Sequence, residues 1–338
     1  MTKAEGKKRR LVEVDRVTGF AIVLVVVGHI VSRQPPLDNE WYVHLKFYIY
    51  QFHMPLFMFM SGLVFEHTST PIAGLSDYLD WAVKKIARLA PGFILVGLAI
   101  TLGKIFSGNF IHVDNVQNNH VDSLIRLFIQ PTESAAGSLW YIYVLLEFYL
   151  IFPLLLILCR KQRVIILMIV VAMHLAHQLL KLPTIFALHD VFNFAIYFWL
   201  GAMCCTHYDR LYAFTKRWGP ALFALFVASL ATTSILWWEY SQTIVGLASI
   251  PAVFWLIGIK SGRLSSFFLY FSQYTFVIYL LNTIAIGLTK GVMLKILPWD
   301  AINFYLYFIV LAAAGLAMPI LAQRWVFSRN TTISRIMN

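Results

Sequence analysis

Of the 338 residues, 59% are hydrophobic and only 13% charged, and the mean hydropathy is +0.72. A water-soluble domain of this size has too little interior to hide that much apolar side chain, so the chain reads as an all-α, polytopic membrane protein. The net charge of +11 sits in short clusters between apolar runs, which points to membrane topology and away from nucleic acid.

Taken in chain order, ten runs have the length needed to cross a hydrocarbon core of roughly 30 Å. They cover residues 17–33, 45–65, 89–107, 139–158, 164–180, 190–206, 219–238, 243–260, 267–289 and 302–325. The first is too long for the core of a cleaved leader and has no small-residue cleavage site after it, so it is expected to remain as a span. Alternate gaps carry Lys84, Lys85 and Arg88; Arg160, Lys161 and Arg163; Arg210, Lys216 and Arg217; and Lys260 and Arg263. Lys7, Lys8, Arg9 and Arg10 of the basic segment 1–16, and Arg324, Arg329 and Arg335 at the other end, belong to the same set. The intervening gaps hold Asp38, Glu40, Asp114, Asp122, Glu133, Glu239 and Asp300. This alternation predicts that both termini face the cytoplasm.

No linker, low-complexity tract or internal repeat divides the chain, so residues 1–338 are expected to form one domain. The longest piece outside the bilayer is the outer loop 108–138, in which Val121 to Ile129 is amphipathic and suited to the interface. Trp41, Tyr42, Trp140, Trp237, Trp238 and Trp299 fall at outer span ends, first as an aromatic belt and second as candidates for stacking on a sugar. Cys159, Cys204 and Cys205 lie near cytoplasmic helix ends, where disulfides are not expected. His174 and His177 are spaced to share a helix face, but two histidines without carboxylates make a poor metal site, and no metal is expected. No GxxxxGK[ST] or GxGxxG loop is present, which disfavours a nucleotide hydrolase.

Polar residues inside the apolar runs are the informative ones. At about 1.5 Å per residue, His29 lies about 18 Å into the first run. His53 lies about 12 Å below the opposite face, and Glu147 in the fourth run comes to a similar level. Each is costly against lipid, so three ionisable groups at one depth suggest a shared polar cavity. Pro55 removes a helical N–H and crowds the Gln51 carbonyl, which predicts a kink beside His53. By spacing alone, Lys84, Lys85 and Arg88 either cradle a polyanion or simply mark the cytoplasmic rim.

Together these strings resemble the membrane acyltransferase family 3, in particular its fucose 4-O-acetylase-like branch. The matching segments are Asp15 with GFAIVLVVVGH at 19–29, FHMPLFMFMSG at 52–62, KKIAR at 84–88 and SLWYI at 138–142. The resemblance implies a ten-helix enzyme that takes an acyl group, commonly acetyl, from cytoplasmic acyl-CoA to a hydroxyl of a surface glycan. It implies that His29 is catalytic and that Lys84, Lys85 and Arg88 hold the CoA phosphates. Two positions depart from the family pattern. Thr18 stands where a basic residue usually lies on the same helical stripe as His29, and Arg16, about 140° round the helix, cannot replace it. Asn282 stands where relatives often carry a histidine, and it can hydrogen-bond substrate but not titrate.

The reading that follows is a cell-membrane O-acyltransferase with His29 as general base, assisted by Glu147 or His53. Acyl-CoA is its donor, and Trp140 and Asn282 contact the acceptor. The alternative is a transporter or flippase of a glycan or lipid-linked sugar, which also suits polar residues at mid-membrane. A structural scaffold would leave the buried histidines unexplained.

Overall fold

A computed structural model describes residues 9–31, 35–69, 72, 74–108, 115–117, 119–233, 238–260 and 262–337, the side chains of 238–240, 332 and 335 excepted. Lys7, Lys8, Asp114 and Trp237, and the side chains of Trp238, Glu239 and Arg335, lie outside the described set. Among the described residues every regular element is helical. The α-helices are α1 (Val12–His29), α2 (Glu40–Thr68), α3 (Leu75–Ser107), α4 (His120–Ile129), α5 (Trp140–Leu158), α6 (Arg163–Leu179) and α7 (Leu188–Cys205). They continue as α8 (Tyr208–Ala231), α9 (Trp238–Val253), α10 (Arg263–Ser272), α11 (Thr275–Met293), α12 (Phe304–Trp325) and α13 (Thr331–Met337).

Among the described residues, six stretches are long and apolar enough to cross a membrane: Leu75–Ser107, Gly137–Leu158, Ile185–Cys205, Ser241–Ile259, Thr275–Met293 and Phe304–Arg329. Arg163–Leu179 is apolar but shorter. Ten spans and cytoplasmic termini are thus more than helix length and composition support. The chemical reason is visible in the helices that fall short. α1 carries Glu13, Asp15 and Arg16, and α2 carries Gln51, His53 and Glu66. α8 opens with Asp209, Arg210, Lys216 and Arg217, while the expected span at 267–289 is divided between α10 and α11. His29 and His53 thus lie on helices that fall short, whereas Glu147 lies in Gly137–Leu158, the most apolar of the six.

α3 begins at Leu75, well before the expected span at 89, so Lys84, Lys85 and Arg88 lie inside a helix rather than in a loop. Asp80 and Lys84 stand four apart, a spacing that favours helix between opposite charges. The amphipathic stretch of the outer loop is α4, capped by the Asn119 side chain on the Val121 N–H. α2 runs continuously through Pro55. Cys159, Cys204 and Cys205 are free thiols at the ends of α5 and α7.

Residue contacts group the chain into two compact units. The first comprises 1–21, 51–71 and 197–273, and the second 22–50, 72–196 and 274–338. α1, α2 and α7 contribute residues to both. In the first unit, α2 and α7 touch through a reciprocal pair of glycines. A Cβ on Gly62 would overlap the Phe198 carbonyl, and one on Gly201 would overlap the Phe59 carbonyl. Small residues that let backbones meet are the usual glue of helices in lipid, where apolar burial drives nothing. In the second unit α11 pairs with α12 and α3 with α5. Trp41 stacks on Tyr305 with centroids 5.5 Å apart.

Candidate functional site

His29 is the last residue of α1, and its surroundings in the second unit are built from α2 and α11. Its Nδ1 lies 2.8 Å from Asn282 Oδ1. The Asn282 amide nitrogen donates to the Ile278 and Tyr279 carbonyls of its own helix, at 2.9 and 2.8 Å. Rotating that amide would set its oxygen against two carbonyl oxygens and its NH2 against the ring. The oxygen therefore faces the imidazole, and Nδ1 must be the protonated nitrogen. Nε2 then keeps its lone pair, the state a general base needs. The residue as a whole is partly exposed.

The end of α1 is held by a single stripe of α2. Tyr42, Lys46 and Tyr50 stand at four-residue intervals and so share one face. The Tyr42 hydroxyl donates to the Val27 carbonyl at 2.9 Å, Tyr50 to Gly28 at 3.1 Å, and Lys46 Nζ to Val31 at 2.7 Å. The Val27 and Gly28 carbonyls are among those a helix leaves unpaired at its C-terminus, and the Lys46 cation just past the helix end also offsets the negative end of its dipole. The Tyr50 ring occupies the space where Gly28 lacks a side chain. Tyr42 is 1% exposed, so it is a buried cap rather than a surface for stacking a sugar. The stripe was visible in the sequence as a polar row on an apolar helix, but its target was not.

Glu147 is elsewhere in the same unit. It lies in α5, its neighbours in charge are Asp190 and Tyr143, and its Oε2 is shielded from water with no hydrogen-bond partner among the described residues. Asn282, not Glu147, accepts the hydrogen bond from His29 Nδ1–H. His53 is 7% exposed and belongs to the first unit. Two residues before it, Gln51 is fully buried, and neither of its amide atoms has a hydrogen-bond partner among the described residues. Pro55 cannot supply the N–H that would normally reach the Gln51 carbonyl, so this residue concentrates unspent polarity in mid-helix. A glutamine four before a proline in an apolar run was the signal for it.

The basic candidates divide in two. Lys85 Nζ stands over the Trp81 ring at 4.2 Å and the Tyr149 ring at 4.8 Å, while the Trp81 indole N–H donates to the Tyr149 carbonyl at 3.0 Å. That ammonium is held by aromatic faces, an arrangement that ties α3 to α5. Lys84 and Arg88, four apart on α3, are exposed and share a face. On α1, the Thr18 hydroxyl donates to the Val14 carbonyl one turn back, at 2.9 Å. Arg16 donates to the Gly258 carbonyl at 2.8 Å. Neither presents a ready cation beside the His29 stripe.

Trp140 opens α5 and packs at 5.2 Å against Phe194 of α7. The turn before it is fixed from α11: the Tyr279 hydroxyl donates to the Ser138 carbonyl at 2.7 Å and accepts from the Tyr141 N–H at 3.2 Å. Helix α11 thus orients His29 through Asn282 and the head of α5 through Tyr279, one turn apart. No group of three or more His, Cys, Asp or Glu able to hold a metal occurs among the described residues.

A family model described as an acyltransferase domain matches residues 11–324, which includes all of these positions. The chain belongs to the acyltransferase 3 family. A stretch of 148 residues of this chain is 28% identical to the nodulation protein NolL of Sinorhizobium fredii. The match covers 43% of this chain and 37% of NolL, so the chain spans little more than a third of that relative's length. No solved structure matches. Its long apolar helices suit a membrane-embedded member of that family.

Proposed function

We propose that this acyltransferase moves an acyl group, acetyl in the simplest case, from acyl-CoA to a hydroxyl of a cell-surface glycan or its precursor, within the cell membrane. One observation carries the reading: an imidazole locked by Asn282 in the tautomer that leaves Nε2 basic. An alcohol is a weak nucleophile at neutral pH and needs such a base. His29 Nε2 takes the acceptor hydroxyl proton as the oxygen bonds to the thioester carbonyl carbon. When the tetrahedral intermediate collapses, the carbon–sulfur bond breaks and the imidazolium returns the proton to the departing thiolate, giving free CoA. No proton is gained or lost overall.

The donor's phosphates are assigned to Lys84 and Arg88, whose charges face outward on one side of α3. Lys85 is given the supporting role its aromatic partners suit. Purified protein incubated with acetyl-CoA and acceptor should release CoA thiol in step with ester formation. The apparent affinity for acetyl-CoA should weaken as salt rises, as expected for exposed cations that grip phosphates. Acceptor carried across liposomes without thiol release would refute acyl transfer.

A further inference from the structure

Besides the His29–Asn282 pair, the second unit gathers titratable side chains from four further segments. Thr132 comes from a short turn, Pro131–Glu133; Glu147 from α5; His177 from the end of α6; and His189 and Asp190 from the start of α7. The Thr132 hydroxyl donates to Asp190 Oδ2 at 2.9 Å, and His189 Nδ1 lies 3.6 Å from Asp190 Oδ1. The His177 and His189 rings meet edge to face at 4.4 Å. The charge of Asp190 acts on both Glu147 and His177. To bring α7 in at this angle, the chain turns through Phe186 and Ala187 at φ 50° and 49°, a left-handed conformation that non-glycine residues adopt only at a cost.

Two groups of this cluster are unspent. Glu147 Oε2 and His177 Nδ1 are both shielded from water and have no hydrogen-bond partner among the described residues. Folding gains nothing from a buried polar atom left this way, so a ligand that supplies the missing partner would bind well. The negative charge of Asp190, which also acts on Glu147, repels phosphate and so disfavours the CoA moiety here. The described residues offer no three-ligand metal set. A neutral molecule rich in hydroxyls fits instead. Trp140, seven residues before Glu147 and so on the same stripe of α5, offers an aromatic face.

We propose that this cluster is the acceptor subsite and that it takes a pyranose ring. Hydroxyl groups of the sugar donate to Glu147 and Asp190 and satisfy His177 Nδ1, while the apolar ring face lies on Trp140. This rests on the acyl-transfer reading above and adds to it where the acceptor is held and of what class it is. Glu147 becomes a substrate-binding residue rather than a partner of His29.

The test uses the full chain in nanodiscs with acetyl-CoA and, as probes, the methyl pyranosides of glucose, mannose, galactose and fucose. At least one should support thiol release. Glu147→Gln and Asp190→Asn, which keep side-chain shape, should each raise the KM for that glycoside about tenfold or more, as loss of a desolvated hydrogen bond to a charged group does. The KM for acetyl-CoA should stay within about twofold, a split that general misfolding would not give. His177→Phe, which keeps a ring against His189, should act in the same direction. An unchanged glycoside KM in both amide variants, or an equal rise in both KM values, overturns the proposal. Hydrolysis of acetyl-CoA with none of the four glycosides accepted overturns the pyranose assignment while leaving acyl transfer standing. Absence of thiol release under every condition would remove the acyl-transfer reading itself.

Discussion

The neighbourhood of His29 and the cluster around Asp190 lie in one unit and draw on the same residue types, yet they are finished to different degrees. Around His29 the amide oxygen of Asn282, both its amide hydrogens, and the carbonyls of Val27, Gly28 and Val31 all have partners. Around Asp190, a carboxyl oxygen of Glu147 and a ring nitrogen of His177 do not. A polar group deep in an apolar protein with its valences spent holds a position. One with valences left over is suited to receive something, since each unmade bond costs about 1–3 kcal/mol.

The comparison breaks most sharply at its centre. His29→Ala should reach the membrane at normal levels and lose acyl transfer by about three orders of magnitude, within the range attributed to a positioned base. Radiolabelled acetyl transfer in membranes, with protein quantified by immunoblot, checks both halves. Next comes Asn282→Leu, which leaves the imidazole in place with no acceptor for Nδ1–H. A fall in kcat of about ten- to a hundredfold, or about 1.4–2.7 kcal/mol of barrier, is expected with KM little changed. Asn282→Asp should instead shift the acid limb of the kcat profile to higher pH. A carboxylate there favours the protonated ring, so more alkaline conditions are needed to free Nε2.

Spent and unspent groups should also separate on α3. The double variant Lys84→Gln with Arg88→Gln is expected to raise the KM for acetyl-CoA about tenfold and to flatten its salt dependence, with thermal stability unchanged. Lys85→Gln should do the reverse, lowering the melting temperature in detergent through loss of the Trp81 and Tyr149 contacts, at about 0.5–2 kcal/mol. The smallest change is Tyr50→Phe. It removes one hydroxyl from the Gly28 carbonyl and should cost about 0.5–1.5 kcal/mol, read as a few-fold loss of kcat.

Much of this was legible in the chain itself. Apolar runs announced the helices, and His29, His53 and Glu147 stood out because ionisable groups are rare in hydrocarbon. The amphipathic period around Val121 to Ile129 gave α4. What could not be read was which faces meet. Asn282 is 253 residues from His29, and nothing in local periodicity says that a late helix turns an amide toward the end of the first. Helix starts were missed for a related reason. A hydropathy reading sees where lipid-like sequence begins, whereas α3 begins fourteen residues earlier, in charged sequence that is a good helix former but not apolar. Depth suggested that His29 and Glu147 serve one cavity; His29 is bonded to Asn282, while Glu147 Oε2 has no partner among the described residues.

Orienting His29 with an amide has an electrical consequence. A carboxylate in that seat would form an ion pair each time the ring picks up a proton, and would hold the proton there. Asn282 gives direction without charge, so the imidazolium is a brief, poorly compensated host in a low-dielectric setting. Such a host hands its proton on quickly, which suits the proposed return of that proton to the departing thiolate.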